Sequence, residues 1–228
     1  MEPPDMPVSE ARPVFDEPSA DHFLYVGWSV DPPARVPVVR RSDRRQRMIE
    51  RCRDFAAATE SREGLVAATV YEAEMIPPLP DVPRYDVLML IRAHARSELG
   101  AVESGLRELE PDFSMPAQNT RRIGETDSTR SASFLFNHFV AQRPAVALEG
   151  FDRVAGWFPG KLGVDNTTLL QPVDQATSPY AFVNYVRVPG GARGFLLSML
   201  TRPSFYTQVR RTLSAYEMTA LPLLAKPV

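Results

Sequence analysis

An internal repeat constrains this chain of 228 residues more than any other feature, because the same order of predicted elements occurs twice. In each half the first helix carries apolar residues at i, i+4, i+7, i+8 and i+11 and ends at a glycine. The repeated features are His22-Phe23 and His138-Phe139 in the first strands, the helix stripes that begin at Met48 and Ala147, the glycines Gly64 and Gly163, and the third strands 85–92 and 180–187, which both run from Tyr to Arg. The repeat unit spans about 100 residues, which indicates a duplicated domain rather than a solenoid of short repeats.

Each half follows the order strand, helix, strand, strand, helix, strand (βαββαβ). Apolar alternation predicts strands at 21–28, 65–74, 85–92 and 120–124, and again at 134–140, 167–173, 180–188 and 221–228. Pro222 and Pro227 restrict the last strand to an edge or a bulge, and Pro203 is expected to kink the helical region 192–217. Because a βαββαβ unit forms an antiparallel sheet with helices on one face, the chain is predicted to be α+β, with the bare sheet faces packed on each other.

The predicted boundaries divide the chain into an arm and two halves. Residues 1–20 are rich in proline and acidic residues and are expected to be a disordered or loosely attached arm. Residues 21–127 form the first half and residues 128–228 form the second, and the polar linker 125–130 separates them.

Composition excludes several classes of function. The formal net charge of −2 gives no electrostatic basis for binding nucleic acid. No apolar run is long enough to cross a membrane, and the acidic, proline-rich start is unlike a signal peptide, so a cytoplasmic protein is expected. The single cysteine, Cys52, lies in the apolar stripe of a helix and is interpreted as a packing residue. His22, His94 and His138 show no metal-ligand spacing, so no metal site is predicted.

Three segments of the second half stand out: Thr167-Thr168-Leu169-Leu170-Gln171, Tyr180-Ala181-Phe182-Val183-Asn184-Tyr185 and Arg202-Pro203-Ser204-Phe205. Together they resemble the antibiotic biosynthesis monooxygenase family. The family pattern is Y-x-x-x-N-x-x-x-W followed by an S-P-x-F segment. Tyr180 and Asn184 match it, whereas Val188 stands in place of the tryptophan and Arg202 in place of the serine. In the first half, Met89 replaces the asparagine.

The resemblance implies two ferredoxin-like halves in a barrel of the dimeric α+β type. It also implies oxidation of a phenolic polyketide by dioxygen without a cofactor, or a related cyclisation, in secondary metabolism. Such a site needs a base, groups that stabilise an enolate and an apolar pocket. The expected partners are an aromatic small molecule and dioxygen. The protein is expected to be a monomer that mimics a dimer, or a homodimer.

His138 and Asn184 are the candidate catalytic residues. His138 lies in an apolar strand and is assigned as the base, with a structural histidine as the alternative; Asn184 is assigned to the enolate oxygen. Asn137 and His138 must point to opposite faces of their strand, whereas Asn184 is expected to share a face with Tyr180 and Phe182. The candidate substrate-binding residues are Asn137, Trp157, Tyr180, Tyr206 and Arg187, and the alternatives are core packing for the aromatic residues and an ion pair at the barrel rim for Arg187.

Two other functions are compatible with the sequence. One is a non-catalytic barrel that binds a small molecule or has a structural role, which the missing tryptophan favours. The other is a haem-binding barrel. Relatives with this barrel commonly bind haem through a histidine on a helix, and neither second helix here contains a histidine, which argues against this function.

Overall fold

A computed structural model describes residues 13–33, 37–126 and 132–228. The strands of the first half are β1 (His22–Trp28), β2 (Leu65–Met75), β3 (Val87–Ala93) and β4 (Phe113–Ile123), and its helices are α1 (Asp43–Glu60) and α2 (Arg96–Leu106). The strands of the second half are β5 (Ser133–Ala141), β6 (Thr167–Pro172), β7 (Phe182–Val188) and β8 (Met218–Pro227). Its helices are α3 (Pro144–Val154), α4 (Trp157–Leu162), α5 (Gly191–Leu200) and α6 (Arg211–Ala215), and a π-helical turn at Phe205–Arg210 precedes α6. Among the described residues, no helix is long and apolar enough to span a bilayer.

The eight strands close into one antiparallel barrel in the order β1-β3-β2-β8-β5-β7-β6-β4. The halves meet at two seams, where β2 pairs with β8 and β4 pairs with β6. The prediction of an α+β fold built from two βαββαβ halves is therefore confirmed, and a single chain closes the barrel. The sheets join edge to edge, which satisfies the backbone groups that two separate sheets would expose.

The two prolines of the last strand were expected to restrict it to an edge or a bulge. Each proline does lie where β8 has a single neighbouring strand, although β8 as a whole is an internal strand of the closed barrel. β8 pairs with β5 on one side and with β2 on the other. Pro222 is accommodated because the β2 pairs begin only at Leu224, so the chain at Pro222 has a ladder partner on the β5 side alone.

Two apolar layers surround the sheet. The barrel interior holds rings from both halves, including Tyr25, Tyr71, Phe134, Phe136 and Tyr185. The outer face lies beneath the helices. Helix α1 begins at the N-cap Ser42, whose hydroxyl accepts the Arg45 N–H, and buries Ile49, Cys52 and Ala56 against the sheet. Burial raises the pKa of the Cys52 thiol to about 12, in agreement with a packing role.

The strand registers show which positions of the two halves are equivalent. Val26 pairs with Met89 as Asn137 pairs with Asn184. One pair further along, Gly27 faces Leu88 as His138 faces Val183, so the counterpart of His138 is Gly27. The interpretation of the two His-Phe dipeptides as equivalent is therefore wrong, because His22 pairs with Ala93 at the strand end, where the second half has Ser133.

Residues 13–20, part of the segment expected to be a disordered or loosely attached arm, contact the barrel. Asp16 pairs with Arg122 of β4, and the Ser19 N–H donates to Asn119 Oδ1 at 2.8 Å. Phe15 packs against the helices of the second half, where the Arg121 guanidinium lies 5.6 Å from its ring centre. A register shift beyond Asn119 leaves polar groups for this segment to bind. Residues 1–12 of the predicted arm, and the boundary predicted at 127–128, lie outside the described residues.

Candidate functional site

The outer apolar layer is continuous in the first half and divided in the second. In the first half, side chains of the strands and of α1 and α2 form one cluster that includes Met89. The second half has three clusters: one around Phe139, Phe151 and Phe182, one around Leu135, Val186 and Phe195, and one formed by Val154, Trp157 and Val209 of the helical layer. The first two clusters lie at opposite ends of β5 and β7. The layer is therefore interrupted at the middle of these strands.

Asn137 and Asn184 occupy the interruption. They are cross-strand partners on β5 and β7. Both face the helices, because their neighbours His138, Val183 and Tyr185 point into the barrel. Neither Oδ1 has a hydrogen-bond partner among the described residues, although both atoms are buried. A buried polar atom without a partner costs about 1–3 kcal/mol. Two of them side by side make this position the candidate ligand site.

The helical layer of the second half is irregular. The chain between α5 and α6 contains the π-helical turn Phe205–Arg210, a distortion often found at functional sites. Trp157 lies beside it: its indole N–H donates to Ser204 Oγ at 3.1 Å, and its ring centre is 5.8 Å from that of Phe205. Arg202 lies between α5 and this turn, and its Nε atom is buried without a partner among the described residues.

Tyr206 does not lie in this layer. Its side chain is 43% exposed, and its hydroxyl donates to the Leu200 carbonyl at the surface. The expectation that Tyr206 lines a buried pocket is wrong, because the π-helical turn presents Phe205 inward and Tyr206 outward.

His138 lies on the other side of the sheet, in the barrel interior. It is fully buried, and burial lowers its pKa to about 4, so the ring is neutral near pH 7. Nδ1 lies 3.1 Å from the Leu221 carbonyl, which can only accept, so Nδ1 carries the proton. Nε2 therefore accepts a hydrogen bond from the Tyr25 hydroxyl at 2.8 Å. Since the sheet separates His138 from Asn184, the hypothesis that both act on one substrate is wrong.

Tyr180 also lies in the interior, although it was expected to share a face with Asn184. Its ring centre is 4.8 Å from that of His138, and its hydroxyl is 3.2 Å from that of Tyr85. The expectation fails because β7 begins at Phe182, and the alternation of a strand does not extend into the preceding loop. The Tyr85 and Tyr180 hydroxyls belong to equivalent positions of the two halves, so they meet near the pseudo-two-fold axis.

Arg187 makes a contact at the barrel rim. It pairs with Asp165 at 3.3 Å, much as Arg92 in the first half pairs with Asp21 at 3.4 Å. Arg187 also borders a surface cavity of about 320 Å³ between Ala132 and the turn at Gly190-Gly191. Among the described residues, no group of three or more His, Cys, Asp or Glu side chains is placed to hold a metal ion.

Sequence reasoning missed the aromatic interior and its polar contacts. Tyr25 was not considered, yet it donates to His138, and the hydroxyls of Tyr71 and Tyr185 lie 2.8 Å apart. Alternating aromatic residues in β5, Phe134 and Phe136, were a signal for such an interior.

Comparison with known proteins supports the architecture. No family model matches the sequence, and no curated protein matches it. Solved structures do match over nearly the whole chain. An anthrone oxidase-like protein has a TM-score of 0.61 at 9% identity, with 92% of each chain covered. A candidate monooxygenase from Fusobacterium nucleatum has a TM-score of 0.56 at 7% identity, with 91% of each chain covered. A candidate chlorite dismutase, TA0507, has a TM-score of 0.55 at 11% identity, covering 91% of this chain and 94% of the other. The chain therefore has the α+β barrel fold of these proteins, with both ferredoxin-like halves in one polypeptide.

Proposed function

We propose that this protein is a cofactor-independent oxygenase, acting on an aromatic small molecule that carries a phenol or enol. The substrate lies between the sheet and the helices of the second half, on Asn137 and Asn184. The observation that carries the proposal is the pair of amides in the outer apolar layer whose buried Oδ1 atoms have no hydrogen-bond partner among the residues that the structure describes. The structural similarity to an anthrone oxidase-like protein supports the reaction class by analogy of fold.

The chemistry of two adjacent amides suits a conjugated oxygen substrate. Each amide offers an acceptor in Oδ1 and donors in Nδ2. A phenolic hydroxyl donates to one Oδ1, while an enolate oxygen accepts from an Nδ2–H, and the apolar clusters on either side hold the ring. Donors fixed in an apolar layer stabilise the enolate more than water does. Electron transfer from the enolate carbon to dioxygen then begins the oxidation.

The position of His138 means that another route must remove the substrate proton to form the enolate. Since the sheet separates His138 from the two asparagines, we assign it no role as the base. We infer instead that the substrate is acidic enough to ionise near neutral pH. Arg202, whose buried Nε has no hydrogen-bond partner within the described part of the chain, is the candidate for a cation that favours the anionic form.

A haem-binding function does not fit the residues. All three histidines of the chain are described. His138 is inside the barrel, His22 begins β1, and His94 follows β3 and contacts Asp21. None of them faces the outer layer of the second half, so a haem bound there would have no histidine ligand.

A non-catalytic binding protein is the second candidate. Val188 stands at the position of the tryptophan in the family pattern, so the indole of that pattern is missing. Val188 is instead buried in the apolar cluster with Val186 and Phe195, which favours the non-catalytic alternative. This alternative uses the same asparagines, so it differs only in whether the bound molecule reacts.

The test measures binding and oxygen consumption separately. Anthrones and hydroxynaphthoquinones are titrated against the protein by calorimetry, and dioxygen uptake is recorded with an oxygen electrode. Asn184→Leu is expected to lower the affinity and the rate at least tenfold, because it removes hydrogen bonds worth about 1–1.5 kcal/mol each. The matched control, Met89→Leu at the equivalent position of the first half, should change neither. Binding without oxygen uptake would identify the non-catalytic alternative; binding and turnover that ignore Asn184 would refute the site.

A further inference from the structure

We propose that Tyr25 and His138 form a proton-coupled redox pair in the barrel interior. In this pair Tyr25 gives one electron to an organic radical oxidant and its phenolic proton to Nε2 of His138. The function is distinct from the substrate site on the other face of the sheet. It makes the barrel interior an internal reductant for radicals of the peroxyl or phenoxyl type.

The geometry of the hydrogen bond carries the proposal. The Tyr25 oxygen lies 2.8 Å from His138 Nε2, and both residues are fully buried. The Leu221 carbonyl fixes the proton of the imidazole on Nδ1, so the lone pair of Nε2 points at the phenol. An oxidised phenol is a strong acid, and its proton has an acceptor already in place. Proton transfer therefore needs no rearrangement of the core.

The neighbouring tyrosines provide a contrast within the same interior. Tyr85 and Tyr180 hydrogen-bond to each other at 3.2 Å. Oxidation of either one would have to place a proton on a phenol, which is a much weaker base than imidazole. A hole that enters the aromatic interior is therefore trapped at Tyr25.

The rings form a path by which a hole can reach Tyr25 from the protein surface. Tyr85 is half-buried at one end of the barrel, and its hydroxyl contacts that of Tyr180. The Tyr180 ring centre is 4.8 Å from that of His138, and the His138 ring centre is 5.5 Å from that of Tyr25. Each step joins adjacent rings, so no long electron transfer is required.

The proposed redox step moves one electron and one proton. An oxygen-centred organic radical accepts one electron and becomes an oxyanion, Tyr25 loses that electron, and the phenolic O–H bond breaks as an N–H bond forms at His138. The products are the oxyanion, a neutral tyrosyl radical and an imidazolium. A thiolate can later return the electron, and His138 then returns the proton. In the protein the radical would come from the oxidation of the substrate, and this source alone rests on the proposed function.

The test generates the oxidant with light and uses no substrate, so its result is independent of the oxygenase proposal. A photo-oxidised ruthenium tris-bipyridine complex oxidises the protein, and the sample is frozen for electron paramagnetic resonance. All samples carry Tyr206→Phe, because Tyr206 is exposed and would react directly. A long-lived tyrosyl radical is expected. It should be lost in Tyr25→Phe, fall about tenfold in His138→Gln, and persist in the control Tyr71→Phe.

A second measurement needs no core variant and covers the case in which Tyr25→Phe does not fold. Electron–nuclear double resonance on the otherwise native protein should detect an imidazole nitrogen and one exchangeable proton coupled to the radical. Detection of both supports the pair. A radical without imidazole coupling, or an undiminished radical in folded Tyr25→Phe, overturns it.

Discussion

Replacement of Asn184 by methionine is expected to stabilise the protein, although substitutions of buried residues usually destabilise. The change copies the first half, where Met89 occupies the equivalent position, fully buried in a continuous apolar cluster. It removes a buried Oδ1 that has no hydrogen-bond partner in the described part of the chain, and such an atom costs about 1–3 kcal/mol. The free energy of unfolding should therefore rise by about 1–3 kcal/mol, and Tm by roughly 2–4 °C for each kcal/mol. Urea and thermal unfolding followed by circular dichroism measure both.

Asn119→Met is the matched control for this experiment. Asn119 is also buried, but its amide is saturated: Oδ1 accepts the Ser19 N–H, and Nδ2 donates to the carbonyls of Arg121 and Leu169. Its replacement should destabilise by about 1–3 kcal/mol, because the former partners lose their bonds. Equal destabilisation by both variants would refute the reasoning. A ligand at a hundred times Kd should add about 2.7 kcal/mol to the native protein, and at most about 1.4 kcal/mol to Asn184→Met if that variant binds at least tenfold more weakly.

Two further perturbations test the barrel interior. Gly27→Ala places a methyl group 2.5 Å from the Tyr85 ring and should lower the free energy of unfolding in urea by about 1–3 kcal/mol. Its control, Gly100→Ala, lies in open space on α2 and should raise the free energy of unfolding by up to about 1 kcal/mol. Equal effects of the two substitutions would contradict the packing argument. The pKa of His138 is near 6.5 in the unfolded chain but about 4 in the folded protein, so the unfolded state takes up the proton first as the pH falls. Between pH 7 and pH 4 the free energy of unfolding of the native protein should therefore fall by roughly 3 kcal/mol more than that of the His138→Gln variant. Parallel stability profiles of the two proteins between pH 7 and pH 4 would show that His138 does not titrate as described.

The fold was largely predictable because local patterns determine it. The repeat, the helix stripes and the strand alternation predict two βαββαβ halves, and the barrel contains them. The role of β8 was not predictable, because a proline in a strand is tolerated or not according to where the neighbouring strands end. That information depends on the closure of the barrel, which is a contact between distant parts of the chain.

The candidate site was less predictable, for a specific reason. Alternation correctly separates Asn137 from His138, but it does not say which of the two faces lies under the helices. In most sheets one face is polar and can be recognised from the sequence as the exposed face. Both faces of β5 are apolar, because Phe136 lies in the interior and Leu135 and Phe139 lie outside. The sequence therefore places the asparagine and the histidine on two faces without telling which of them shares a side with Asn184.

The equivalence of Gly27 and His138 has a consequence for how such barrels acquire chemistry. In a barrel of two identical chains, each position beside the symmetry axis occurs twice with the same residue. A histidine there would bring a second buried imidazole with it, and a glycine would leave both places empty. In this chain the glycine makes room for the Tyr85 ring on one side, while the imidazole accepts a hydrogen bond from the Tyr25 hydroxyl on the other. Covalent joining of the halves thus allows a single proton acceptor to be installed once, where symmetry would have imposed two.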